Sequence, residues 1–184
     1  MNEKQKTKIS KFLSLVLRHK PETIDLHLDE NGWAETHLLL ERLNAKGYSL
    51  NRDILKTIVE TNDKKRFIFS PDFSKIRANQ GHSLKVNLEL TEKTPPDILY
   101  HGTADKNLNS IMEKGLIKGQ RHHVHLSEDK ITAFKVGQRY GKPVILSIDA
   151  AAMHERGIKF YRSENGVWLV EMVAVNEIKP LVSN

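Results

Sequence analysis

The sequence predicts an α+β protein with two lobes. At 184 residues the chain is long enough to form two small hydrophobic cores. Helical periodicity dominates its first part, whereas short apolar strands alternate with helices in its second part. Loop-like sequences at 79–83 and 93–96 separate the two parts. We therefore expect a first lobe over residues 1–92 and a second lobe over residues 93–184.

The first lobe is predicted to begin with three helices. Apolar residues recur at helical spacing over residues 4–19, and Pro21 ends that segment. A second helix is expected over 36–46 and a third over 52–61, with Asn51 as the N-cap of the third. The apolar faces of these helices would together form one core.

Two short strands are predicted after the third helix. Residues 66–69 and 75–78 are rich in strand-forming residues, and the connection 70–74 contains serine, proline and aspartate, which favour turns. We expect these strands to pair as an antiparallel hairpin. Three helices with a two-stranded wing are typical of a winged-helix-like module, a common platform for nucleic acids, although a fold alone does not establish a function.

The second lobe is predicted as a mixture of strands and helices over roughly 90 residues, a normal size for a small domain. Short apolar segments predict strands at 98–101, 123–127, 144–148 and 167–170. Amphipathic segments between them predict helices over 106–114, 128–139 and 150–156. Strands and helices that alternate in this way are expected to pack as layers around one core.

Composition and charge exclude several classes of protein. The chain has no cysteine, which excludes disulfides, thiol chemistry and cysteine-ligated zinc. A formal net charge of +6 favours a polyanionic partner. The sequence has no apolar run of the ~20 residues that span a bilayer, and its polar start lacks the apolar core of a signal peptide. We therefore expect a cytoplasmic monomer without a membrane partner.

Three histidines and an arginine lie within the segment 120–127. With the two-residue period of a strand, the polar residues would share one face: Arg121, His123, His125 and Ser127. The apolar residues between them would point to the other face. Zinc is the alternative occupant, but it requires further ligands, and Arg121 repels a metal ion and attracts phosphate. We therefore expect an anion-binding strand without a metal.

Other candidate residues lie in short motifs that are unspecific when taken singly. Arg18 and His19 end the first helix, where the helix dipole favours cations, and Arg66 begins the hairpin. Solvated surface charges would give the same pattern. His101 and Gly102 end a predicted strand in a turn where backbone N–H groups can meet a nucleotide, although a purely structural turn glycine also fits.

Taken together, the order and spacing of these motifs resemble the RNA 2′-phosphotransferase family. Six segments carry the resemblance and cover nearly the whole chain: Leu17–Pro21, Lys65–Phe67, Arg77–Ser83, Tyr100–Thr103, Arg121–Ser127 and Asn165–Leu169. The chain is similar to a bacterial member of that family. The resemblance implies a winged-helix-like first lobe that binds RNA and phosphate, and an ADP-ribosyltransferase-like second lobe that binds NAD⁺.

The resemblance also implies a reaction in two steps. The RNA 2′-phosphate attacks the ribose carbon of NAD⁺ that bears nicotinamide, and nicotinamide leaves. The ribose 2″-hydroxyl then attacks the phosphorus, which releases RNA with a 2′-hydroxyl and ADP-ribose 1″,2″-cyclic phosphate. NAD⁺ is thus expected as a co-substrate and no metal is expected. The expected RNA partner is a tRNA-like molecule with a 2′-phosphate, as formed in tRNA splicing.

Matching positions supply the site residues that the resemblance implies. The catalytic set consists of Arg18, His19, Arg66 and Arg121. The NAD⁺-binding set consists of His101, Gly102, Thr103, His125, Ser127 and Asn165. Arginine suits a phosphate dianion because its guanidinium group is forked and permanently charged, and His19 can exchange a proton near neutral pH.

Two alternative functions stay open. Many ADP-ribosyltransferases that modify proteins carry a glutamate where this chain has Val167, and Glu164 would supply it if the strand register differs. A phosphate nucleophile is already ionised and needs no such base. One alternative is therefore an ADP-ribosyltransferase that modifies protein or the phosphate ends of nucleic acids. The other is a non-catalytic winged-helix regulator that binds nucleic acid.

Overall fold

The computed structural model describes residues 2–62 and 64–181, which contain mixed helical and strand structure. The chain divides into two compact units, Met1–Glu89 and Leu90–Asn184. Within the described residues there are six α-helices, and all the sheets are small and antiparallel. The mixture of helices and strands predicted from the sequence is confirmed.

The first unit contains three helices and one sheet. The helices are α1 Glu3–Arg18, α2 Thr36–Ala45 and α3 Arg52–Glu60. The strands are β1 Ala34–Glu35, β2 Phe67–Phe69 and β3 Lys75–Ala78. Their order in the sheet is β1-β3-β2, with both pairs antiparallel. The core contains fully buried leucines from each helix, including Leu13, Leu39 and Leu55.

The caps of α1 and α3 set where these helices begin. The Asn2 side chain accepts from the backbone N–H of Gln5 at 2.9 Å, and the Gln5 side chain accepts from the backbone N–H of Asn2. The Asn51 side chain accepts from the N–H of Ile54 at 2.8 Å, so the predicted N-cap of α3 is confirmed. The predicted bounds of all three helices agree with the structure to within one residue at each end.

The predicted hairpin is present, with Phe67 paired to Ala78 and Phe69 paired to Ile76. Its turn is held by Asp72, whose carboxylate accepts hydrogen bonds from Ser70 and Ser74. These bonds lower the pKa of Asp72 to about 2. The sequence did not predict β1, because two residues carry no periodicity and β1 forms only by pairing with β3.

The second unit contains three helices and eight strands among its described residues. The helices are α4 Leu108–Lys114, α5 Lys130–Gly137 and α6 Ala150–Glu155. The strands are β4 Ile98–Ala104, β5 Leu116–Ile117, β6 Val124–Leu126, β7 Pro143–Asp149, β8 Phe160–Arg162, β9 Trp168–Val170, β10 Met172–Val173 and β11 Ile178–Leu181. Three antiparallel sheets result, in the orders β11-β7-β4, β6-β9-β8 and β10-β5.

The four strands and three helices predicted for this unit are all present, with shifted ends. β4 and β7 are longer than predicted, whereas β6 is shorter than the predicted 123–127. The sequence missed β5, β8, β10 and β11. β5 and β10 have only two residues each, and β11 contains Pro180, which the sequence pattern counts against a strand. No helix in the described residues is both long and apolar enough to cross a bilayer.

Gly102 allows β4 to pack closely against α5. A Cβ at Gly102 would lie 1.7 Å from the carbonyl oxygen of Ala133, and one at Gly137 would lie 2.6 Å from the carbonyl oxygen of Thr103. Two glycines thus bring the backbones of β4 and α5 into contact. Because side chains alternate along a strand, His101 and Thr103 point to the side of β4 opposite α5.

Gly102→Ala is expected to destabilise the protein by about 3 kcal/mol or more, because the new methyl group would overlap the backbone of α5. The free energy of unfolding in urea measures the loss. Gly119→Ala is the control, because nothing lies within 4 Å of its Cβ position. Alanine is disfavoured at the positive φ of Gly119, and this strain alone should cost about 1 kcal/mol. Equal losses in the two variants would contradict the close packing of β4 on α5.

Candidate active site

The C-terminal end of α1 brings Arg18 close to the main chain of Arg66. Nη2 of Arg18 donates to the carbonyl oxygen of Arg66 at 3.4 Å, and the backbone N–H of Asn79 donates to the same oxygen at 2.9 Å. The side chain of Asn79 in turn donates to the carbonyl of Lys65 at 2.6 Å. Arg18, at the end of α1, therefore bonds to the residue that precedes the hairpin, and that residue bonds to Asn79, which follows the hairpin.

His19 is the C-cap residue of α1 and lies against Ser83. Nδ1 of His19 is 2.9 Å from Oγ of Ser83. The backbone N–H of Ser83 donates to the carbonyl oxygen of Arg18 at 3.0 Å. The segment that follows the hairpin thus returns to the end of α1 and contacts both Arg18 and His19.

Arg66 is held from the other direction by the residues that follow α3. Its backbone N–H and its Nη1 both donate to Oδ1 of Asn62, each at 3.4 Å. Nδ2 of Asn62 donates to Oγ of Ser10 on α1 at 2.9 Å. The structure therefore brings three of the predicted catalytic residues, Arg18, His19 and Arg66, into one neighbourhood of the first unit, the first polar cluster. Two guanidinium groups and an imidazole suit a phosphate group.

In the second unit, Arg121, His125 and His101 form a second polar cluster. Nη1 of Arg121 is 3.4 Å from Nδ1 of His125, and Nδ1 of His101 is 3.0 Å from the carbonyl oxygen of His125. The main chains of Tyr100 and Ser127 exchange two hydrogen bonds of 2.8 and 2.7 Å beside this cluster. This bridge aligns the middle of β4 with the end of β6.

The predicted alternation of faces is confirmed within β6, where Val124 and Leu126 are buried and His125 lies on the other face. The regular strand does not include residues 121–123, which form bends before it. His123 nevertheless stays on the predicted side, with its ring 5.6 Å from that of Tyr161. Tyr161 lies in one row of the sheet with Leu169 and His125. The alternation of faces therefore extends to His123, which precedes the regular strand.

Burial lowers the pKa of His101 below its usual value of 6.5. The carbonyl of His125 opposes this effect, and the positive charge of Arg121 adds to it. His101 is thus neutral near pH 7. Because a carbonyl oxygen can only accept, Nδ1 of His101 carries the proton, which leaves Nε2 as a hydrogen-bond acceptor. Burial and the charge of His122 also lower the pKa of His123.

Ser127 lies beside this contact through its main-chain bonds to Tyr100, whereas the other residues of the predicted NAD⁺ set have different surroundings. Gly102 faces α5, as its Cβ position shows. Thr103 is buried, and its hydroxyl accepts from Asn107 at 3.3 Å. Oδ1 of Asn165 accepts from Ser163 at 2.7 Å in the turn between β8 and β9. His101 and His125 are thus the members of the set that the structure joins by a direct contact.

Two glutamates of the second unit, Glu128 and Glu164, differ in their surroundings. Glu128 accepts from Nε1 of Trp168 at 2.8 Å and pairs with Arg162 at 3.0 Å. Glu164 lies exposed in the turn between β8 and β9, before Val167. In residues 2–62 and 64–181, no three histidine, aspartate or glutamate side chains are grouped as ligands of a metal ion.

Sequence reasoning missed two polar residues of the first cluster. Ser83 contacts His19, and Asn62 contacts Arg66, but neither was assigned a role. Ser83 lies at the end of a segment that carries the family resemblance, which was the available signal. Asn62 lies outside every motif, and its position depends on the way α3 ends beside α1. Only tertiary structure could have identified it.

His101 provides a prediction about pH. Between 6.5 and the lower pKa of the folded protein, the unfolded chain binds a proton at His101 that the folded protein does not bind. The free energy of unfolding should therefore fall as pH falls through this window, and the contribution is complete above 6.5. His101→Gln should weaken this dependence, whereas His27→Gln, an exposed change in the first unit, should not. Chemical denaturation at several pH values measures it.

The imidazole of His101 can also be followed directly by NMR. Its titration midpoint should lie below 6.5, and Arg121→Gln should raise it because a nearby positive charge is removed. A midpoint at 6.5 or above in the wild-type protein would contradict the burial of a neutral imidazole. An unchanged midpoint in Arg121→Gln would contradict the electrostatic contact between the two residues.

Comparison with known proteins identifies the family. Residues 4–172 match the family described as RNA 2′-phosphotransferase, Tpt1 / KptA family. Three curated relatives bear the name "Probable RNA 2′-phosphotransferase". That of Pseudomonas savastanoi pv. phaseolicola is 50% identical over 182 residues, 98% of this chain and 97% of the relative. That of Flavobacterium johnsoniae is 55% identical over 173 residues, 94% and 95% of the two chains.

The third relative, from Escherichia coli O9:H4, is 54% identical over 175 residues, which are 95% of each chain. The similarity thus extends over nearly the full length of all three relatives and includes both units. The family predicted from the motifs is confirmed. This chain belongs to the RNA 2′-phosphotransferase family, a family of transferases.

Proposed function

We propose that this chain is an NAD⁺-dependent RNA 2′-phosphotransferase that removes an internal 2′-phosphate from a tRNA-like RNA. The observation that carries the proposal is the neighbourhood of Arg18, His19 and Arg66, since Arg18 donates to the main chain of Arg66 and His19 directly follows Arg18. Such a group suits a phosphate dianion and a proton transfer. The family to which the chain belongs supports the same class of substrate.

In the proposed reaction, an oxygen of the RNA 2′-phosphate forms a bond to the ribose carbon of NAD⁺ that carries nicotinamide. The bond to nicotinamide breaks, and nicotinamide leaves with the electron pair. The 2″-hydroxyl of that ribose then attacks the phosphorus and loses its proton. The bond to the RNA 2′-oxygen breaks, and this oxygen takes up a proton to give RNA with a 2′-hydroxyl and ADP-ribose 1″,2″-cyclic phosphate.

The catalytic set in this proposal is Arg18, His19, Arg66 and Arg121. The three arginines hold the anionic oxygens, where a permanently charged, forked donor stabilises the crowded phosphorus of the second step. His19 handles a proton in that step, either at the 2″-hydroxyl or at the departing 2′-oxygen. A metal ion has no place in the scheme, because guanidinium groups supply the positive charge.

NAD⁺ binding is assigned to the second unit. His101 and His125 are the main contacts, with Thr103, Ser127 and Asn165 as further polar residues. A neutral His101 with an acceptor at Nε2 suits a hydroxyl or amide donor of the dinucleotide. Gly102 serves this assignment indirectly, because it lets β4 lie against α5 and thereby sets the position of its neighbours.

The same proposal includes the architecture of the lobes. Three helices followed by an antiparallel hairpin support a winged-helix-like first lobe for RNA and phosphate, assigned to residues 1–92. The small antiparallel sheets with peripheral helices support an ADP-ribosyltransferase-like second lobe for NAD⁺, assigned to residues 93–184. Function in this proposal depends on the site residues and not on the fold.

Incubation with NAD⁺ and a 2′-phosphorylated oligoribonucleotide tests the proposal. The expected products, identified by mass, are RNA with a 2′-hydroxyl, nicotinamide and ADP-ribose 1″,2″-cyclic phosphate. An RNA or protein adduct that persists would instead indicate ADP-ribosyl transfer. Absence of any product from the folded protein in the presence of NAD⁺ would refute the proposal, and RNA binding alone would then favour a regulator.

Arg18→Ala, Arg66→Ala and Arg121→Ala are each expected to lower kcat by about 10²-fold or more, because each removes charge stabilisation of the transition state. Arg42→Ala and Arg139→Ala, which remove an arginine from each unit elsewhere, are the controls and should retain activity. Thermal melting separates loss of function from loss of folding. Full activity in any of the first three variants would remove that residue from the catalytic set.

A further inference from the structure

The hydroxyl of Ser83 contacts the imidazole that the proposed function uses for proton transfer. Nδ1 of His19 lies 2.9 Å from Oγ of Ser83, while the N–H of Ser83 donates to the carbonyl of Arg18 at 3.0 Å. The preceding residue, His82, is 1% exposed, which fixes this segment in the first unit. Ser83 therefore approaches α1 from an anchored position and contacts both Arg18 and His19.

A hydroxyl is suited to a ring whose protonation changes. When Nδ1 of an imidazole lacks a proton, a serine O–H can donate to it, and when Nδ1 carries a proton, the serine oxygen can accept it. Rotation of the hydroxyl is sufficient to change between the two bonds. A carbonyl oxygen could hold only the protonated nitrogen. In either state the contact is at Nδ1, and the proposed proton transfer uses Nε2.

We propose that Ser83 is a positioning residue that keeps the ring of His19 in one orientation throughout the reaction. The proposal rests on the proposed function, in which His19 transfers a proton, and Ser83 acts through His19. Its bond lies at the surface, where water can replace it, so its contribution to folding stability is small. An effect on turnover without an effect on stability is therefore expected.

Ser83→Ala should lower kcat by about 10-fold, a part of the effect that a positioned acid or base can supply. The KM values for RNA and NAD⁺ and the melting temperature should stay unchanged. Ser83→Thr keeps the hydroxyl and should restore most of the activity. Ser14→Ala is the matched control, because the Ser14 hydroxyl donates within α1, to the carbonyl of Ser10. Wild-type kcat in Ser83→Ala would overturn the proposal.

A double-mutant cycle with His19→Ala distinguishes positioning from a structural role. In the His19→Ala background, Ser83→Ala should have no further effect on the residual rate, because the residue through which it acts is absent. A further 10-fold loss in that background would overturn the proposal. The ¹⁵N signals of the His19 ring provide a test that needs no turnover: Ser83→Ala should change the Nδ1 signal, and identical signals would equally overturn it.

A second inference concerns the exposed face of α1. Lys4, Lys8 and Lys11 are exposed and are spaced four and three residues apart, so they lie on one face of the helix, opposite buried residues such as Leu13. Arg18 follows Lys11 by two turns and continues the same face. Along the helix axis, Lys11 lies about 10 Å and Lys4 about 21 Å from Arg18.

Within the part of the chain that the structure describes, the lysine face has no acidic partner in an ion pair. Among the described residues, the ion pair seen on α1 joins Lys6 to Glu3, and no carboxylate lies within 4.0 Å of the ammonium groups of Lys4, Lys8 or Lys11. On α3, in contrast, Lys56 pairs with Glu60. Like charges at this spacing destabilise a helix, and an anionic partner would relieve the repulsion.

We infer that the lysine face binds phosphates of the RNA strand that flanks the 2′-phosphate, because the row of charge leads to Arg18. This inference also rests on the proposed function, and it adds a binding surface to the catalytic residues. Lengthening a 2′-phosphorylated dinucleotide by a few nucleotides should then lower KM, with the extension favoured on one side of the modified residue.

The triple variant Lys4→Gln, Lys8→Gln, Lys11→Gln should raise KM for the longer RNA by about 10-fold or more and leave kcat and the dinucleotide unaffected. Binding of unmodified single-stranded RNA should lose about 2 units of its log–log salt slope. The variant Lys106→Gln, Lys114→Gln, Lys142→Gln removes equal charge from the second unit as a control. Equal losses in both triple variants, or no loss in the first, would overturn the inference.

Discussion

The carbonyl oxygen of Arg66 is the acceptor on which the first cluster depends. It takes a hydrogen bond from Nη2 of Arg18 and another from the backbone of Asn79, so one main-chain atom joins α1 to both strands of the hairpin. The two arginines of this cluster, Arg18 and Arg66, carry like charges. A carbonyl oxygen holds the guanidinium group of Arg18, and the side-chain oxygen of Asn62 holds that of Arg66. Both acceptors are uncharged, so neither of these two contacts cancels a guanidinium charge.

The second cluster also contains contacts to groups other than carboxylates. Arg121 lies against the imidazole of His125, and His101 bonds to a main-chain carbonyl. Elsewhere in this unit cations pair with acids, as Arg156 does with Glu177 and Arg162 with Glu128. Among the described residues, Arg121 has no carboxylate within 4.0 Å, whereas Arg156 and Arg162 do. Both clusters contain guanidinium donors, as expected of phosphate-binding groups.

Local signals in the sequence predicted much of this fold. The periodicity of α1, the cap at Asn51 and the turn chemistry of the hairpin depend on residues close in the chain, so they could be predicted without tertiary structure. The two-residue strands could not, because they exist only through pairing with distant strands. The same limit applies to the candidate site. Motifs predicted its arginines and histidines, but the contacts of Asn62 and Ser83 depend on tertiary packing.

The two histidines at the centres of these clusters have partners that assign them different tasks. His101 is partly buried and donates from Nδ1 to a carbonyl, an acceptor that permits a single tautomer, and desolvation lowers its pKa. Such a ring can accept a hydrogen bond at Nε2 but is poorly suited to changing its charge. His19 is partly exposed and contacts a hydroxyl, which tolerates either protonation state. Under the proposed function, these partners suit His101 to ligand orientation and His19 to proton exchange.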